Sequence, residues 1–156
     1  MEEKIKKQFL GHLVYQIGMM RRCFYRCVES SFHFQNKNEV DEDLMVAFLT
    51  HIKALHKFFI KRGSNKDEAY VSDYIDNWKI ENSEMDKWYR QINSYLSHLD
   101  YERVTGKRGY ELYQIGNFYT YFRELIIEFI DKLPENFIIK ELSELSEQLK
   151  REIGNK

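Results

Sequence analysis

The chain carries one proline, Pro134, and seven glycines in 156 residues, so long stretches contain nothing that breaks a helix. Regular alternation of apolar and polar residues, the mark of a half-buried strand, is almost missing. Apolar runs are short as well. The longest, Leu44 to Leu49, falls far below the roughly 20 residues that a membrane-crossing helix needs. The N-terminal MEEKIKKQFLGH has no uninterrupted apolar core, so it does not read as a signal peptide. A soluble, cytoplasmic protein without membrane association is expected.

An excess of one charge is also lacking. Lys and Arg number 24 against 25 Asp and Glu, leaving a formal net charge of -1. This excludes the overall basic excess of a non-specific nucleic-acid binder, and any such contact must come from a local patch. There are only two cysteines, Cys23 and Cys27, four apart and so on one helix face. They are expected to pack as reduced, small hydrophobes, since a metal or redox role would need a second ligand pair. No glycine-rich phosphate loop, nucleophile elbow, paired CxxC or HExxH is present. His51 and His56 are five apart, which does not align two ligands on one helix face. No cofactor and no metal site are expected.

Packing material, by contrast, is plentiful: 11 Phe, 11 Tyr and 2 Trp. Leu10, Leu13, Val14, Ile17, Phe24, Cys27 and Val28 recur at steps of three and four, the stripe of an amphipathic helix. Gly11 and Gly18, two turns apart, would allow a neighbouring helix to approach. After the polar break HFQNKNEVDED, where Asn38 or Asp41 offers a cap, a second helix is predicted from Asp41 to Lys61. Its face comprises Leu44, Phe48, Ile52, Leu55 and Phe59. AYVSDYIDNW is read as one or two helical turns. A third helix follows Ser83, with Met85, Trp88, Tyr89, Ile92, Tyr95, Leu96 and Leu99 on one side. A fourth, Glu111 to Leu133, has the broadest apolar face and is placed at the centre of a bundle. A last one after Pro134 uses Ile138, Leu142, Leu145, Leu149 and Ile153. No linker is evident. The expected fold is all-α, a single-domain helical bundle of four to five main helices over residues 1–156.

Two groups of polar residues stand out. In RQINSYLSHLDYER, Arg90 to Arg103, the apolar side of the third helix centres on Ile92. Arg90, Ser94, Ser97 and His98 fall opposite, and Asn93 lies at the boundary. Few Lys or Glu occupy this face, which suits a contact surface better than a merely solvated one. The following TGKRG turn adds Lys107 and Arg108 to Arg103, and these could hold an anion. The second group is inward: Arg21 falls within the first stripe and His51 within the second. A buried arginine needs a carboxylate or carbonyls, and Asp73, Asp76 and Glu124 are candidates. Arg21, His51 and Asp73 either line an inter-helix polar pocket or form an internal structural network.

Three segments, AFLTHIKALHKFF, VSDYIDNW and INSYLSHLDYERV, together resemble the ordered landmarks of a family of small bacterial all-helical proteins that carries no assigned activity. The resemblance spans roughly residues 44–104 and rests on His51, Asp73, Trp78, Asn93, His98, Tyr101 and Arg103. It implies an all-helical fold and marks those positions. More distantly, the third helix is similar to the HEPN superfamily, whose ribonuclease members carry an arginine, four to six residues, then a histidine. Two protomers meet there and build a joint RNA-cleaving site. That similarity implies a homodimer with metal-independent RNA-directed activity, in bacterial stress or phage defence. His98 would be the acid/base, Arg90 the phosphate contact and Asn93 the supporting polar group, with Tyr101, Arg103, Lys107 and Arg108 as substrate contacts. Seven residues separate Arg90 from His98, one more than the pattern. The alternative from another class is a non-catalytic interaction module, whose polar face on the 83–99 helix binds a protein partner.

Overall fold

The first helix, α1 (Glu3–Ser31), runs through 29 residues without a proline, and its stripe of Leu10, Leu13, Ile17, Met20, Cys23 and Cys27 is buried. In the computed structural model, residues 2–33, 40–60, 68–80, 83–97 and 111–154 are described. The remaining helices are α2 (Glu42–Phe59), α3 (Ser83–Ser97), α4 (Leu112–Lys132) and α5 (Lys140–Gly154), with short 3-10 turns at Val71–Asp73 and Glu135–Phe137. The described residues contain no strand, and the fold is an all-α bundle.

Local chemistry sets several of these boundaries. Asp41 caps α2, its Oδ1 accepting a hydrogen bond from the Leu44 amide at 3.0 Å. At the start of α4 the Gln114 side chain reaches back to the Glu111 amide at 2.9 Å. Pro134 follows the end of α4 and ends it cleanly, because it can supply no amide to continue the ladder.

The main pairing is α1 against α2. α4 packs on α1, α2 and α5, while α3 lies chiefly on α2 and α5 also meets α1. The central position expected for α4 holds: Ile115, Phe118, Tyr119, Phe122, Leu125, Ile126, Phe129 and Ile130 are all buried. Phe129 anchors one end of the core. Its ring meets Phe58 and Phe59 edge-on at 5.5 Å, and Tyr74 and Trp78 edge-on at 6.2 and 6.3 Å.

AYVSDYIDNW does form a single turn, and its fixing point is Tyr74. Burial pushes the Tyr74 phenol well above its ordinary pKa, so it remains a donor, and Oη donates to the Lys6 carbonyl at 2.9 Å. The Lys6 ammonium in turn donates to the Asp73 carbonyl. This exchange clips the start of α1 to the Val71–Asp73 turn.

Three expectations need correction. Gly11 and Gly18 do not admit a neighbouring helix: a Cβ at either would meet no atom within 4 Å. Both lie off the buried stripe of α1. Ile138 and Ile153 are 44% and 42% exposed rather than core. Ile138 precedes α5 and so does not share its stripe, and Ile153 sits in the last turn, beyond the buried Leu142, Leu145 and Leu149. The buried histidine of α2 is His56, not His51, because α2 turns Met45, Leu49 and His56 inward along with the predicted Phe48, Ile52, Leu55 and Phe59.

Candidate functional site

α3 buries Met85, Ile92 and Tyr95, and half-buries Trp88 and Leu96 against the core. Trp88 meets Phe118 of α4 edge-on at 4.8 Å, which fixes the rotation of the helix. With that side turned inward, Asp86, Lys87, Arg90 and Gln91 face solvent. Arg90 is thus exposed, as the helical wheel requires, and Asn93 is half-buried at the edge of the core face. His98, Tyr101, Arg103, Lys107 and Arg108 lie outside the described residues.

Arg21, His51 and Asp73 have separate partners, and none touches another. Arg21 Nε donates to Glu152 Oε1 of α5 at 2.5 Å, a carboxylate 131 positions away and not one of the expected candidates Asp73, Asp76 or Glu124. The other oxygen of Glu152 accepts from Tyr119 Oη at 2.5 Å. Burial, then the bond to Glu152, hold the Tyr119 phenol well above its ordinary pKa, so it stays protonated. Tyr119 also stacks on Phe24, ring centres 4.0 Å apart, and lies under the Arg123 guanidinium at 5.8 Å. Arg21, Glu152 and Tyr119 therefore join α1, α5 and α4 in one network, in which a single carboxylate satisfies two donors. The internal-network reading fits Arg21, with these partners.

His51 bonds through Nδ1 to Gln16 Oε1 at 2.7 Å and meets Tyr15 edge-on at 6.3 Å, pinning α2 to α1. Burial lowers its pKa. Asp73 uses Oδ2 to accept the Tyr70 amide at 2.8 Å, a role confined to its own turn.

His56 and Arg123 were not singled out from the sequence. His56 is 5% exposed, stacked on Tyr89 of α3 at 4.2 Å, with Asp86 Oδ1 at 3.9 Å, beyond hydrogen-bonding reach. Burial drives its pKa down to about 4, against the opposing pull of Asp86 and the Met85 backbone. Neutral at pH 7, it packs as an aromatic plate between α2 and α3. Arg123 is buried on α4 with Nε unpartnered among the described residues. The only sequence signal for His56 was its proximity to the core face of α2.

Two clefts on the described surface involve α1. One, of about 230 Å3, lies between α1 and α2 and is mainly apolar, with His12, Gln16, Lys57 and Glu68 at its rim. The other, of about 550 Å3, runs along the outer face of α1 beside α5, lined by Tyr15, Gly18, Arg22, Tyr25, Arg26 and Gln148 among others. Among the described residues, no three His, Cys, Asp or Glu side chains gather as metal ligands, and no helix is long and apolar enough to cross a membrane. Compared with known protein families, curated proteins and solved structures, the chain matches none of them.

Proposed function

We propose that the protein is an RNA-directed helical bundle of HEPN-like character, with the polar face of α3 as its working surface. The observation that carries this reading is the exposure of Arg90 on a helix whose opposite side is locked into the core by Met85, Ile92 and Tyr95. A guanidinium held on a rigid element, free to meet a phosphate, is the part such chemistry needs first. In this reading Arg90 contacts the phosphate, His98, eight positions further along the sequence, transfers the proton, and Asn93 is the supporting polar group. A second copy of the chain brings its own α3 to the same place, which relieves the eight-position separation of Arg90 and His98 in the sequence.

The neutral balance of the chain makes the reading falsifiable through salt. Fluorescence-anisotropy titration of a labelled mixed-sequence RNA should give affinity that falls as salt rises, and Arg90→Ala should weaken it roughly tenfold, the worth of one charge-assisted contact. RNA binding that ignores Arg90→Ala would remove α3 from the interface. No RNA binding at any salt would favour the non-catalytic interaction module instead.

A further inference from the structure

The outer face of α1 gathers arginines and tyrosines beside α5. Arg22 and Arg26 are four apart, exposed on the same side of the helix, and make no ion pair among the described residues. Tyr15 and Tyr25, on the same cleft, are 57% and 39% exposed, two of four exposed large aromatics among the described residues. Tyr25 is set by its neighbours: the Arg21 guanidinium lies over its ring at 5.4 Å, and Tyr119 meets it edge-on at 6.1 Å. Arg21 itself is neutralised by Glu152, so it forms a fixed wall rather than a free charge. Between these residues sits Gly18, in the interior of a long helix, where glycine costs about 1 kcal/mol relative to alanine. Its position is open: no atom lies within 4 Å of where a Cβ would stand. No close packing requires glycine there, and its effect is to leave the floor of the cleft low.

We infer that this cleft binds a nucleoside phosphate. Two guanidiniums with no ion pair among the described residues suit the phosphate, and exposed tyrosine rings suit a planar base. Glu29 and Gln148, which also line the cleft, supply acceptors for ribose hydroxyls or base amino groups. A bare inorganic anion would find the Glu29 carboxylate unfavourable, whereas a ligand with both an anionic and a donor end uses it. The cleft volume of about 550 Å3 is within the range of small-ligand sites. The site is independent of the polar face of α3, since α3 packs chiefly on α2 and the cleft belongs to α1 and α5.

A nucleoside phosphate reaches such a cleft free or within an RNA strand, and two probes separate these sources. Calorimetric titration with AMP and anisotropy titration with a labelled oligouridylate are run on the full chain in low salt. Binding of AMP identifies a free-nucleotide site; binding of the oligonucleotide alone, lost with Arg22 and Arg26, identifies a strand-binding one. In either case Arg22→Ala/Arg26→Ala should weaken binding by roughly tenfold or more. Gly18→Leu, which raises the floor, should weaken it without lowering the thermal midpoint. Failure of both probes to bind, or binding indifferent to the arginine pair and to Gly18→Leu, would overturn the inference. The AMP arm and its response to the α1 substitutions read this cleft apart from RNA binding at α3.

Discussion

His56 lies between α2 and α3 with an ordinary pKa of 6.5 pushed down to about 4 in the folded chain. A histidine depressed on folding holds more protons in the unfolded state than in the native one. Its neutral form therefore costs nothing above pH 6.5, and the penalty grows as pH falls from 6.5 towards 4. The full gap, roughly 3 kcal/mol, is reached once the pH falls below the folded-state value of about 4. Urea unfolding at pH 7 and pH 4.5 should show His56→Leu losing less stability between the two pH values than the wild type. Cys23 and Cys27 give a second check at this scale. Burial raises both thiols, Cys27 to about 12, so neither is a thiolate at neutral pH. Alkylation by iodoacetamide should be slow in the native protein and complete once it is unfolded. The packing role of these cysteines was legible from their shared helix face and the lack of a second ligand pair. The partner of Arg21 was not: Glu152 sits 131 positions away, and no local pattern ties the two. Glu152→Gln should cost about 1–2 kcal/mol, because it weakens one charge-assisted bond and disturbs a second.

Among the elements, the helices were the most legible part of the chain. Their apolar residues recur at helical spacing, and breakers are confined to the joints, so α1, α2, α3 and α4 stand close to where the pattern put them. What the pattern misjudged was rotation. The stripe drawn for α2 omitted Met45, Leu49 and His56, because α2 is covered by α1, α3 and α4 and so buries a wider arc than one neighbour would require. For α1 the error was of the opposite kind: Gly11 and Gly18 face open space instead of a packed helix. Gly11→Ala should therefore raise stability by about 0.5–1 kcal/mol, readable as a higher urea midpoint with an unchanged slope. The core end of α4 should respond in the other direction. Phe129→Ala removes a ring that touches four other aromatic residues and should cost about 3–5 kcal/mol.

For the whole molecule, a bundle whose helices are tied by Tyr119–Glu152–Arg21 and by Tyr74–Lys6 presents two distinct polar surfaces, one on α3 and one along α1. The α3 face was visible in the sequence as the polar side of a helical wheel. The α1 cleft was not, since no local pattern around Arg22, Arg26, Tyr15 and Tyr25 brings Leu145 and Gln148 of α5 alongside them. The central claim concerns α3, and cleavage tests it more directly than binding does. Purified wild-type protein and His98→Ala, matched in far-UV circular dichroism and thermal midpoint, would be incubated with a mixed-sequence RNA in the presence of a chelator. The account expects the wild type to cut the RNA and His98→Ala to lose that activity by roughly a hundredfold or more, the usual share of a general acid–base group. Intact RNA in both reactions, or equal cleavage in both, would contradict it.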